Sequence, residues 1–99
     1  MDSQEGQWPR TVHAAVERLL TLLSDQGKQA VRDVSDEWDL DLFHFGLGMF
    51  VRNSFGLWQG NIELLNSCGG AGMHPDTASM VIIRALWERL REGEPERQP

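Results

Sequence analysis

The stretch from Trp38 to Val51 constrains this chain more than any other. It is mostly apolar, and its large side chains fall into two rows: Trp38, Leu42, Phe45 and Met49 in one, and Leu40, Phe43, Leu47 and Phe50 in the other. Each row steps by three or four residues, the spacing that stacks side chains along one face of an α-helix. A helix that is apolar on two sides belongs inside a bundle rather than on its surface. Ser35 is expected as its N-cap. Asp36, Glu37 and Asp39 crowd the first turn, where negative charge meets the positive end of the helix dipole. A narrow polar stripe (Glu37, Asp41, His44, Gly48 and Arg52) runs between the rows, with Asp39, Gly46 and Asn53 opposite. Two glycines inside one helix cost about 1 kcal/mol each against alanine. They predict close approach of another backbone or ring, or else a break near Gly46.

The flanking segments also read as helices. The first is expected to start at Thr11, an N-cap just after Pro9, with Val12, Val16, Leu19 and Leu23 at helical spacing. Ser24 and Asp25 end it and cap a second, shorter helix carrying Ala30, Val31 and Val34. Residues 55–61 make a tight connection with Gly56 as a C′ glycine. Asn61 is placed to cap a short helix from Ile62 to Ser67, and the glycine-rich run from Cys68 to Gly72 reads as a loop. His74-Pro75-Asp76 opens the last helix, with proline in the first turn where its missing N–H does no harm. Met80, Ile83, Trp87 and Leu90, with Ile82 and Leu86 beside them, are its expected core face; Arg84, Glu88 and Arg91 are its solvated face. No segment alternates as a strand would. The fold expected is all-α: a compact single-domain bundle of four to five helices with a central buried helix near 36–54. Residues 1–8 read as a flexible lead, 9–92 as the helical domain and 93–99 as a disordered tail.

Composition narrows the function. A chain of 99 residues has room for one core. Fifteen acidic against nine basic side chains give a net charge of −6, which repels phosphate backbones and argues against nucleic acid as a partner. The same charge suits solubility or docking to a basic partner. Cys68 is the lone cysteine, so no disulfide forms within the chain, as suits a reducing compartment. Residues 1–7 lack the basic and apolar regions of a signal peptide, and no run of about 18 apolar residues is long enough for a membrane span. A cytoplasmic protein that does not engage membranes is expected.

Chemistry-bearing residues are few. His44 lies three residues after Asp41, a spacing that could orient a histidine for acid–base work or could supply a local hydrogen bond in an apolar helix. Cys68, His44 and His74 lack the spacing of known metal motifs, so neither a metal nor another cofactor is expected. Arg52 either binds an acidic group on a ligand or pairs with Asp41, Asp76 or a carbonyl at a helix end. Trp38 and Trp87 fit core rows. Trp58, in a glycine-flanked turn, is read first as core, with an exposed interface anchor as the alternative.

The run from His44 to Asn61 (HFGLGMFVRNSFGLWQGN), the later His74-Pro75-Asp76 with Ser79, and Leu86-Trp87 together resemble a pattern in a family of small bacterial domains of unknown function. The resemblance spans residues 11–92 and implies a bacterial or phage origin. It also implies that His44, Arg52, Asn53, Trp58, Asn61, His74 and Asp76 belong together, as a polar lock or as a small binding pocket. Two functions follow as expectations. The first is a non-enzymatic protein-interaction module, such as an immunity-, antitoxin- or inhibitor-like factor docking on a basic partner. The alternative is a small-ligand-binding or hydrolytic domain using His44, Arg52, Asn53, His74 and Asp76. Self-association into a homodimer through apolar helix surface is a third arrangement compatible with the sequence.

Overall fold

In a computed structural model, residues 8–70 and 72–92 are described. Of the expected lead at 1–8, residues 1–7 lie outside the described residues, as does the expected tail at 93–99; Trp8 is described, and its ring packs over Gly56. Thr11 caps helix α1 (Val12–Leu22), its hydroxyl accepting from the Ala14 amide. Ser24 does the same for α2 (Asp25–Arg32) through the Gly27 amide. Asn61 caps α4 (Ile62–Cys68) through the Leu64 amide. Each cap answers one of the amides that a helix start leaves without a partner. His74 precedes α5 (Pro75–Glu92); its carbonyl accepts from Ala78 N and its Nδ1 from Asp76 N.

The central segment departs from expectation. Residues 36–54 form two elements, not one α-helix. Glu37–Phe43 is a 3-10 helix capped by Asp36, whose carboxylate accepts from Trp38 N; α3 (Leu47–Ser54) then begins after a turn at 44–46. The cap is therefore Asp36, not Ser35, and the break falls at Gly46. The described residues hold five α-helices and one 3-10 helix, one more than the upper end of the four to five expected, and no strand.

The pitch of the 3-10 segment explains which side chains it buries. At three residues per turn, Glu37, Leu40 and Phe43 share a face, Asp39 and Leu42 a second, and Trp38 and Asp41 a third, while Phe45 lies in the turn that follows. Only the first face meets the core: Leu40 is buried and Phe43 packs against the buried cluster. Trp38, Leu42 and Phe45 stand 77 %, 81 % and 76 % exposed, and Met49 and Phe50 are exposed as well. The expectation of burial on two sides is thus corrected. The row Trp38, Leu42, Phe45 and Met49 faces solvent, because the tighter pitch and the break at Gly46 rotate it off the α-helical register.

The central helix is α5, which packs against all five other elements. Its buried residues are Ala78, Ser79, Ile82, Ile83 and Leu86. Small residues in its first turns let α3 come close, and α3 meets it with Gly48, Val51 and Arg52. A Cβ on Gly48 would lie 3.0 Å from Arg52 Nη1 and 3.3 Å from the Phe43 carbonyl, so this glycine provides the close approach that the sequence suggested. Ala15, Val16 and Leu19 of α1, Val31 of α2, and Phe55, Leu57 and Leu64 complete the core.

Arg91 is a correction of a different kind. It leaves the solvated face to donate from Nη1 to the carbonyls of Arg32 (3.1 Å) and Val34 (2.8 Å), and its guanidinium lies over the Trp87 ring. Trp87 Nε1 also donates to Val34 O at 2.7 Å. The end of α2 and the chain leaving it are thereby tied to α5 by a cation and an indole. No helix among the described residues is long and apolar enough to cross a membrane.

Candidate functional site

Six of the seven residues expected to converge divide between two places, and Asn53 joins neither. In the first, Arg52 joins α3 to the start of α5. Its Nη1 donates to Ser79 Oγ (3.0 Å), its Nη2 to the His44 carbonyl (3.3 Å), and its Nε lies 3.3 Å from Asp76 Oδ1. Ser79 Oγ in turn donates to the Asp76 carbonyl at 2.8 Å. Arg52 is only 5 % exposed, so these partners replace the water it has lost. Of the alternatives open in the sequence, Asp76 and a helix-end carbonyl are both realised at once. Beside this clasp, Asp76 Oδ2 lies 4.0 Å from His74 Nδ1, and the exposed Trp58 ring meets His74 edge-on at 5.5 Å. Trp58 is therefore not a core residue.

The second place is Asn61. It is buried, and its Nδ2 donates to the carbonyls of Pro9 (2.9 Å) and Phe55 (2.8 Å) while its Oδ1 caps α4. It ties the entry of the chain to the end of α3. The turn it anchors is closed by Gly56 at φ 75°, with the Leu57 amide reaching back to the Arg52 carbonyl at 3.2 Å. This is a six-residue helix-ending loop that needs a left-handed residue at Gly56. The Trp8 ring covers the same glycine so closely that a Cβ there would fall 2.5 Å from it.

His44 reaches the clasp through its backbone; its ring turns edge-on to Phe45 at 4.9 Å. The His44 amide bonds the Asp41 carbonyl, but no side-chain bond links the two among the described residues. Asn53 is exposed on α3. Ser79, which stands in the sequence pattern but not among the seven residues expected to converge, is completely buried between Arg52 and Asp76. Its position three residues after Asp76 on a helix was the available clue, since a serine hydroxyl there can bond back to the preceding turn.

The described surface carries several hollows. One of about 440 Å³ lies between α1 and α5 and includes His13, Glu88 and Arg89. One of about 160 Å³ lies beside Trp8, Asn61 and Glu63. Another, of about 260 Å³, lies between the 3-10 helix and α5. Asn61 alone of the seven pattern residues lines any of these three. Among the described residues, no group of three or more His, Cys, Asp or Glu side chains is placed to hold a metal ion. Cys68 is buried, its sulfur 3.6 Å from the Ala78 carbonyl, and burial pushes its thiol up to about 11. The thiolate a nucleophile requires is thereby suppressed at neutral pH.

The surface with most to offer a partner is the 3-10 helix and the start of α3. Trp38, Leu42, Phe45, Met49 and Phe50 are exposed there, and Asp36, Asp39 and Asp41 are exposed among them. No curated protein and no solved structure matches the chain. The family model described as "Domain of unknown function (DUF6794)" matches residues 8–90, and the chain belongs to that family.

Proposed function

We infer that this protein is a non-enzymatic interaction module, an inhibitor-, immunity- or antitoxin-like factor of a bacterium or phage, and that it docks on a basic protein partner. One observation carries the reading: five large apolar side chains in the stretch 38–50 face solvent with carboxylates between them. Single exposed apolar residues are ordinary, but several on one stretch, with acidic neighbours, have the make-up of an interface. Charge selects the occupant. A second copy would bring the same carboxylates and the same net charge of −6 to the contact, as would nucleic acid or an anionic lipid surface with their phosphates. A basic protein brings the opposite sign. The ligand-binding or hydrolytic alternative has less to draw on, because Arg52, its one cation, is already engaged by three protein partners.

The test is affinity capture from a lysate of the producing organism with the native chain and with a Leu42→Glu/Phe45→Glu variant. The reading expects a basic protein held in stoichiometric amount by the native chain, lost with the variant and released by salt. A captured protein held equally by both chains, or no stoichiometric protein at all, would overturn it.

A further inference from the structure

Resting on that docking reading, we propose that the hollow between the 3-10 helix and α5 receives one arginine side chain of the partner. The hollow has a volume of about 260 Å³ and is lined by Glu37, Trp38, Leu40, Asp41, Met80 and Arg84. Each part suits a guanidinium on a methylene stem. Leu40 and the half-buried Met80 give an apolar floor for the stem. The exposed Trp38 lines the hollow, and an indole ring is a surface on which a guanidinium stacks better than an ammonium does. Asp41 supplies a carboxylate that pairs with no other side chain among the described residues. Glu37 is fixed as a wall by Arg84, whose Nη2 lies 2.7 Å from Glu37 Oε1. Arg84 does not make the hollow cationic, since Glu88 also sits 3.5 Å from its Nε. Two carboxylates against one guanidinium leave the lining net negative. A neutral apolar side chain would leave Asp41 without a partner, and an acidic one would be repelled.

The hollow also adjoins the exposed apolar row, because Trp38 belongs to both. The partner surface that fits is therefore an arginine beside large apolar residues, as on one face of a basic amphipathic helix. Specificity then comes from the arginine and contact area from the row.

The test uses the full chain, ¹⁵N- and methyl-labelled, titrated with N-acetyl-arginine N-methylamide and with its neutral isostere, the citrulline amide, each to tens of millimolar. The expected result is saturable movement of the Trp38 indole and Met80 methyl resonances by the arginine probe. Binding of the citrulline probe, or of the arginine probe to Asp41→Asn, should be about fivefold weaker or less detectable still. Asp41 is exposed, so this variant keeps the fold, and its unchanged circular dichroism verifies that. No movement with the arginine probe, or equal movement with citrulline, overturns the proposal. If that happens while Leu42→Glu/Phe45→Glu still abolishes capture of a basic partner, the docking surface stands and only its occupant at the hollow is wrong. If capture fails too, both readings fall.

Discussion

Replacing Arg52 with methionine isolates the clasp between α3 and α5. Methionine approximates the length and apolar stem of arginine, so packing is largely kept and the polar contacts are lost. Three interactions end: with Ser79 Oγ, with the His44 carbonyl and with Asp76. A hydrogen bond to a charged group contributes about 1.5–3 kcal/mol when buried, and the Ser79 bond, fully enclosed at 3.0 Å, counts in full. The His44 bond is longer at 3.3 Å and only partly enclosed, so it counts for less. Asp76 is nearly half exposed; water reclaims it, and its share is about 0–1 kcal/mol. The expected loss is about 2–4 kcal/mol, a large part of the roughly 5–15 kcal/mol typical of a small domain. At about 4–8 °C per kcal/mol, the thermal midpoint falls by about 8–30 °C. Urea unfolding followed at 222 nm measures it, with Asp76→Asn as the internal comparison at about 1 kcal/mol or less. The reasoning fails if Arg52→Met unfolds within about 0.5 kcal/mol of the native chain, or if Asp76→Asn costs as much as Arg52→Met.

Asn61→Ala removes a cap and two buried bonds at once; a loss of about 2 kcal/mol in urea unfolding is expected, with a change in tryptophan emission as the Pro9 tie and neighbouring Trp8 are released. Native Cys68 should react with a disulfide reagent at pH 8 about a hundredfold more slowly than the unfolded chain, since its thiol is raised from 9.0 to about 11; equal rates would contradict its burial. A proton held more tightly in the folded state stabilises that state below the unfolded value, so this contribution is present below pH 9 and is lost as pH rises from 9 to about 11, which unfolding at alkaline pH against Cys68→Ala measures. Leu42→Ser with Phe45→Ser should leave stability within about 0.5 kcal/mol per site, whereas buried positions would cost about 2–5 kcal/mol each, a difference visible in one denaturation curve.

Local chemistry made much of this fold legible in advance. Thr11, Ser24 and Asn61 cap their helices through side chains that reach only three residues ahead, so sequence neighbours alone placed them. Gly56 was legible because a chain leaving a helix needs a left-handed residue there. The pairing of Arg52 with Asp76 is one of four alternatives open in the sequence, and choosing among them needs the packing of α3 on α5. Residues 37–43 read as α-helical because Leu40 and Phe43, three apart, satisfy an α-helical row and a 3-10 face equally well. Only the register of Leu40 and Phe43 on the core decides between them, and that register depends on α5. The place of α5 at the centre was hidden because Ala78 and Ser79 matter there by being small, while hydrophobic spacing draws attention to large residues. Arg91 could not have been placed at all: its carbonyl partners lie 57 and 59 residues away.

The misread row bears most directly on function. An apolar side chain in a core is explained by the folding it drives, but Trp38, Leu42 and Phe45 are too exposed to drive any. Left bare, such a surface invites aggregation. The carboxylates of Asp36, Asp39 and Asp41 interrupt it along the chain, and their like charge opposes the docking of one copy on another. The same charges therefore have two effects of opposite sign. Under the docking proposed above, they keep the apolar row from its own kind and attract a partner whose rim is basic. A surface designed only for solubility would have replaced the apolar residues, and one designed only for self-assembly would have dropped the acids. Keeping both along one short stretch makes sense where the intended contact is with a different, positively charged molecule.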